Sequence, residues 1–240
     1  LSKGVSDTFS PKMNALIVKG EAKEADKTFL RASFLQMSIL LLLVGGFAVV
    51  GRDFLALWLS NGGLSDAEFH QIYWIALLNL LLWCIPLSQS VGVEIQRASN
   101  KHKFLSFSLF VLALLSLPIS ILLTLYLPES YRIYGPLIGN AFFVVLGYWI
   151  LSNVYYKKVL SLSIGSYFLD FGMVFLFAFL SALVPFLLFS FIPALGNLNL
   201  WANLFIKGFV YLFFFLLFFL LFYRKRIASF RDERKLRGSP

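Results

Sequence analysis

Six long apolar runs, separated by short polar segments, follow one another along the 240 residues of this chain. The first run, Ala32–Val50, holds no charged residue, and at about 1.5 Å per residue it can cross a hydrocarbon core of about 30 Å. The pattern predicts an all-α integral membrane protein with six full transmembrane helices, at Ala32–Val50, Gln71–Val93, Phe104–Leu127, Ile133–Tyr156, Ser166–Ser190 and Leu200–Tyr223.

A shorter helical pattern precedes these runs, with apolar residues at Val5, Phe9, Met13 and Leu16. Polar residues occupy much of the opposite side, so this face is expected to lie at an interface or to line a water-filled cavity. Residues 1–20 are therefore interpreted as the end of a preceding transmembrane helix, kinked at Pro11. We interpret the chain as a fragment that lacks an N-terminal part, and a trimmed flexible end is the alternative.

The placement of basic residues predicts the orientation of the chain. Short loops rich in Lys and Arg are expected on the cytoplasmic side, which here includes the predicted loop Lys19–Arg31 and the tail from Arg224 to Pro240. The predicted outer turns hold only Arg52 and Arg132. We therefore expect a multi-pass protein of the inner (plasma) membrane with a cytoplasmic C-terminus, and a short interfacial helix at Phe54–Ser60 on the outer side.

Composition excludes several classes of protein. Hydrophobic residues make up 59% of the chain, well above the roughly 45–50% of soluble domains. The net charge of +9 lies in short loops, so orientation in the membrane accounts for it and nucleic acid is not an expected partner. Cys84 is the single cysteine, and no nucleophile–base constellation or Gly-rich phosphate loop is present, so we expect no enzyme, metal or cofactor.

Three stretches resemble a known family. A Pro-Lys pair at Pro11 leads into a charged loop and a span that ends in Gly-Arg-Asp-Phe-Leu-Ala-Leu-Trp-Leu-Ser60. Further along stand Ile-Gln-Arg-Ala-Ser-Asn-Lys-His-Lys103 and Tyr-Gly-Pro-Leu-Ile-Gly-Asn140. Across about residues 5–160 the chain resembles the second half of polysaccharide flippases, the O-antigen and exopolysaccharide transporters of the MOP (multidrug/oligosaccharidyl-lipid/polysaccharide) superfamily.

The resemblance implies a C-terminal helical lobe of a two-lobed transporter, without its N-terminal lobe. Residues 21–160 would be a four-helix portion of that lobe, residues 161–223 two additional terminal helices, and residues 224–240 a basic cytoplasmic tail. The implied activity is translocation of a lipid-linked oligosaccharide by alternating access. The implied partners are membrane lipid, the lipid-linked glycan, a glycan polymerase and other assembly proteins.

Polar residues inside the apolar pattern are the candidates for contact with such a substrate. Cations would attract the diphosphate, and amides would bind sugar hydroxyls. For Arg31 the alternative is a snorkelling topology marker, and for the amides it is hydrogen bonding between helices. The candidates are Lys3, Asp7, Lys12, Asn14, Arg31, Asn79, Gln89 and Asn140.

Carboxylates near the membrane are candidates for coupling and gating. Glu94 and Asp170 could carry a proton or sodium ion, although Glu94 could simply pair with Arg97 three residues on. Arg52 and Asp53 could close the cavity on the outer side, with an ordinary interfacial ion pair as the alternative.

Small residues and prolines carry predictions about packing. Gly135 and Gly139 form a small-xxx-small pair that permits close approach of a neighbouring helix. Pro86, Pro118 and Pro185 are expected to kink their helices.

Three other functions stay open. A cation-coupled multidrug exporter of the same superfamily would need an acidic cavity. A polysaccharide polymerase or ligase would need a larger outer loop than Gly51–His70, and a helical scaffold subunit would carry out no transport itself.

Overall fold

The computed structural model describes the backbone of residues 2–59, 62–192 and 198–237, and the side chains of residues 8–59, 62–192 and 198–221. Within these ranges every long element is helical, and no strand occurs. The helices are α1 (Ser2–Val18), α2 (Ala22–Trp58), α3 (Asp66–Ser88), α4 (Ser90–Ala98), α5 (Lys103–Tyr126), a 3₁₀ helix (Glu129–Tyr134), α6 (Gly135–Phe143), a π-helical segment (Val144–Ser152), α7 (Asn153–Val159), α8 (Ile164–Phe191) and α9 (Leu200–Arg237).

Six helical stretches of the described chain are long and apolar enough to cross a membrane, as predicted. Two of them are composite, because α3 continues into α4 and the 3₁₀ helix continues through α6 and the π segment into α7. They are Ala22–Trp58, Asp66–Ala98, Lys103–Tyr126, Glu129–Val159, Ile164–Phe191 and Leu200–Leu221.

Two predicted breaks around the first span are wrong. Most of the expected loop Lys19–Arg31 is the start of α2, where Thr28 bonds back to the Glu24 carbonyl and Phe29 is buried. The high content of charged residues suggested a polar loop. A short charged stretch can nevertheless form a helix when one of its sides is apolar and packs against the protein. The expected interfacial helix Phe54–Ser60 is likewise not separate, because α2 runs unbroken to Trp58 with Leu55 buried.

The chain divides into two compact units that share α2 and α8. Unit 1 comprises Leu1–Leu41 and Ser65–Gly172. Unit 2 comprises Leu42–Leu64 and Met173–Pro240.

In unit 1, α5 lies against α6 along the predicted pair of glycines. A β-carbon on Gly139 would meet the Ser120 hydroxyl and stand 2.9 Å from the Ser116 carbonyl oxygen, and one on Gly135 would collide with Thr124. The prediction of close helix packing at this pair is confirmed.

In unit 2, α9 runs antiparallel to the second half of α2. The Tyr211 ring lies against Gly45, where a β-carbon would overlap the phenol oxygen, and its hydroxyl donates to the Leu42 carbonyl at 3.0 Å. One turn earlier on α9, Lys207 binds Asp53. These contacts hold the two helices together along about three turns.

Candidate functional site

The two composite spans of unit 1 are irregular where they lie side by side. Pro86 lies within α3, and the break between α3 and α4 falls three residues later, at Gln89. Proline has no N–H, so the Leu82 carbonyl loses its usual donor four residues on. The Trp149 indole, on the neighbouring π segment, donates to that Leu82 oxygen at 3.1 Å.

Side chains also satisfy the carbonyls of the π segment. The Ser152 hydroxyl donates to the Gly147 oxygen at 2.8 Å. The Asn153 amide donates to the oxygens of Tyr148 and Trp149, both at 3.0 Å. In a bilayer such carbonyls have no water to bind, so irregular backbone persists only where the protein supplies donors.

A group of polar side chains, all buried except the partly buried Ser90, joins these irregular points, and we call it the polar seam. The Gln89 amide donates to the Asn153 Oδ1 at 2.7 Å, and the Gln36 amide donates to the Ser90 hydroxyl at 2.5 Å. The Ser88 and Tyr167 hydroxyls lie 2.6 Å apart. The seam thus comprises Gln36, Ser88, Gln89, Ser90, Asn153 and Tyr167.

Most of the side chains that form these bonds are buried, so the bonds matter for the stability of the helix packing. Gln89 is 2% exposed, Asn153 is 5% exposed, and Ser88 and Tyr167 are fully buried. Ser88 already donates to the Ile85 carbonyl, so Tyr167 must be the donor in their shared bond. A buried polar group that loses its partner costs free energy, so the seam favours one arrangement of its helices.

An aromatic layer borders the seam. The Phe29 ring lies 6.3 Å from the Tyr156 ring and 6.2 Å from the Tyr167 ring, measured between centroids. Asp170, three residues after Tyr167 on α8, is 1% exposed. The predicted coupling residue is therefore a buried carboxylate close along its helix to the seam.

Three of the four amides predicted as substrate contacts form hydrogen bonds with one another or with a neighbouring helix. Asn140 on α6 donates to Asn79 on α3 at 2.9 Å, and Gln89 binds Asn153. Hydrogen bonding between helices, the alternative raised above for these amides, is what the structure contains at all three positions.

The predicted cationic candidates lie elsewhere. On α1, Lys12 and Asn14 are exposed on either side of the fully buried Met13, and Arg31 on α2 is partly exposed. The side chains of Lys3 and Asp7 lie outside the described residues.

The expected pairing of Arg52 with Asp53 is corrected by the structure, while their role as a gate stays a prediction. Asp53 binds Lys207 at 2.7 Å instead of Arg52, which is exposed. The Lys207 ammonium also lies 5.0 Å from the centre of the Phe189 ring. Successive residues of a helix point about 100° apart, so Arg52 and Asp53 face different neighbours.

The other predicted carboxylate pairing is present. Glu94 accepts from Arg97 at 3.1 Å, which is the ion pair expected as the alternative to a coupling role for Glu94.

Near the start of α8, Asp26 accepts from both the backbone N–H and the hydroxyl of Ser163, at 2.7 and 2.6 Å.

Five seam or seam-linked residues were not identified from the sequence: Gln36, Ser88, Ser90, Trp149 and Tyr167. One signal was available, because Pro86 must leave the carbonyl at residue 82 in need of a donor. Which side chain supplies that donor depends on helix packing, which no local pattern shows. Among the described residues, no group of three or more His, Cys, Asp or Glu side chains could hold a metal ion.

The fold and the buried seam define an all-helical protein with the helices of a multi-pass membrane protein. No protein-family model, curated protein or solved structure matches the chain.

Proposed function

We propose that this protein takes part in moving a lipid-linked oligosaccharide, a polyprenyl-diphosphate sugar, across the bacterial inner membrane for surface polysaccharide biosynthesis. A sugar diphosphate cannot cross hydrocarbon unless polar and cationic groups replace its water. The six apolar helices and the resemblance of residues 5–160 to polysaccharide flippases support this proposal.

The distribution of charge is the observation that carries it. Three carboxylates at or near the apolar spans are bound within the chain: Asp26 by Ser163, Asp53 by Lys207 and Glu94 by Arg97. Lys12, in contrast, is exposed on α1. Exposed cations with occupied carboxylates favour an anionic ligand over a cationic one.

The polar seam supports a transporter rather than an enzyme. Its groups are amides and hydroxyls that donate and accept hydrogen bonds, and it lies where two spans are irregular. Transport by alternating access requires helices that can change their packing around a polar centre.

The first test measures binding. The chain is placed in phosphatidylcholine nanodiscs and titrated with a fluorescent polyprenyl-diphosphate disaccharide, with the matching fluorescent polyprenol as the control ligand. We expect the diphosphate sugar to bind, Lys12→Gln to weaken that binding several-fold, and Lys12→Arg to retain it. Equal binding of the polyprenol, or no effect of Lys12→Gln, would argue against the cationic site.

The second test measures movement. Proteoliposomes with the protein should expose the labelled glycolipid to an external quencher faster than empty vesicles do, while fluorescent phosphatidylcholine should be unaffected. A glycolipid that binds but does not move would contradict translocation by this protein.

A cation-coupled multidrug exporter is the second candidate, and buried Asp170 is the observation that favours it. A carboxylate at membrane depth can couple its ionisation to a cation gradient. In that case a fluorescent organic cation should bind, Asp170→Asn should abolish its movement, and Lys12→Gln should leave it unchanged.

A further inference from the structure

The two irregular spans of unit 1 are tied together on one side of their irregular points. Asn140 on α6 binds Asn79 on α3 at 2.9 Å. Nearer the start of α3, the Gln71 amide donates to the carbonyl of Ser130 in the 3₁₀ helix at 2.9 Å. The segments α3 and α6 therefore form one connected pair.

The same two spans are tied again on the other side. A β-carbon on Gly92 of α4 would lie 2.8 Å from the Tyr156 ring of α7, so the two helices are in close contact. The loop after α4 is bound to α7 as well, since Tyr155 donates to the Lys101 carbonyl at 2.5 Å and Lys101 donates to the Val159 carbonyl at 3.1 Å. The segments α4 and α7 form a second connected pair.

Between the two pairs, each span has an irregular backbone, and side chains of the span with the π segment satisfy carbonyls of both. Trp149 supplies the donor that Pro86 removes from α3, and Asn153 both satisfies the π segment and accepts from Gln89. Prolines and π segments are the usual points at which helices bend. The two spans are bonded to each other before their irregular points, at those points and after them. Neither span can therefore bend without straining its hydrogen bonds to the other.

We propose that α3–α4 and α6–α7 form one coupled hinge, in which the pair α4 and α7 moves as a unit against the pair α3 and α6. Asn153 is its central positioning residue, because its amide donates to two carbonyls of the π segment and its side-chain oxygen accepts from Gln89, at the break between α3 and α4. The seam bond from Gln89 sets the angle in the arrangement described above. This conclusion concerns motion and stands whether the ligand is a glycolipid or a cation.

The test measures the bend of each span separately. In a Cys84→Ser background, spin labels at Ala67 and Arg97 report on α3–α4, and labels at Ile138 and Lys157 report on α6–α7. These positions are exposed, and along straight helices the pairs would lie roughly 45 and 28 Å apart. Distance distributions are recorded in nanodiscs by pulsed electron spin resonance.

We expect Asn153→Leu to shift or broaden both distributions by several ångströms, although the substitution lies on only one of the two spans. Gln89→Leu should do the same from the other span. The matched control is Asn79→Leu, which removes an amide bond between the same two helices away from the irregular points. The Gln71 bond to Ser130 still ties α3 to its neighbour in this variant, so both distributions should be unchanged.

A shift confined to the substituted span, no shift at all, or an equal shift in the Asn79→Leu control would overturn the coupled hinge. If Asn153→Leu does not fold, Trp149→Phe provides the same comparison, because it breaks the bond to Leu82 and leaves Asn153 intact. Thermal unfolding of each variant verifies that the labelled protein is folded.

Discussion

The indole of Trp149 donates a 3.1 Å hydrogen bond to the Leu82 carbonyl, the oxygen that Pro86, four residues further along α3, leaves without a backbone donor. The carbonyl that α3 leaves without a backbone donor is thus satisfied by a side chain of the neighbouring π segment. This relationship predicts that the two residues are thermodynamically coupled.

Replacing Trp149 with Phe should lower the free energy of unfolding by about 1–3 kcal/mol, because a partly buried carbonyl loses its donor. In a Pro86→Ala background the backbone N–H returns, so the same replacement should cost less. Unfolding in mixed detergent micelles, followed by circular dichroism, measures both. Equal costs in the two backgrounds would show that Trp149 acts through packing alone.

Gly45 and Tyr211 predict a second pair of coupled substitutions. Gly45→Ala should destabilise the protein by about 1–3 kcal/mol, since its β-carbon would overlap the Tyr211 hydroxyl. Tyr211→Phe removes that oxygen and should recover part of the loss. Gly46→Ala is the matched control, because its β-carbon would lie 3.5 Å from the nearest Tyr211 atom, and it should be tolerated.

The Asp53–Lys207 pair should behave as a low-dielectric ion pair. The two side chains retain exposures of 17% and 23%, so loss of one partner should cost about 3 kcal/mol, at the low end of the range for buried pairs. Lys207→Met and Asp53→Asn should each show this loss, and the double variant should lose less than their sum. Arg52→Gln, at the exposed neighbour, should change stability little; a comparable loss there would contradict the pairing.

The α5–α6 contact predicts that Gly139 cannot carry a side chain. Gly139→Ala should cost about 1–3 kcal/mol, because its β-carbon would meet a hydroxyl and a backbone carbonyl that cannot rotate away. Gly172→Ala on α8, with nothing within 4 Å of the added carbon, should be neutral or should gain about 1 kcal/mol from helix propensity. The same micelle unfolding assay distinguishes them.

Local pattern was enough to locate the spans and one packing contact. The charge-free run of the first span and the four-residue spacing of Gly135 and Gly139 each specify a structure almost without context, since bilayer thickness and helix periodicity are constants. The loop expected at Lys19–Arg31 failed for the opposite reason. Whether a short charged stretch is loop or helix depends on whether residues such as Phe29 find a surface to cover.

The candidate site was predictable only in part. Gln89, Asn79 and Asn140 could be singled out as polar residues in apolar helices, and hydrogen bonding was one of their two interpretations. Asp53 was assigned to its sequence neighbour Arg52, but it binds Lys207, 154 positions away. No sequence spacing encodes a partner at that distance.

Hydrophobic length and the positions of proline thus predict six helices long and apolar enough to span a membrane, and the places where a helix must lose a hydrogen bond. These features follow from the geometry of a single helix. The partners follow from helix packing: Trp149 supplies the donor that Pro86 removes, and Asn153 accepts from Gln89. In hydrocarbon each unmatched polar group is costly, so the helices adopt the packing in which their irregular points face one another.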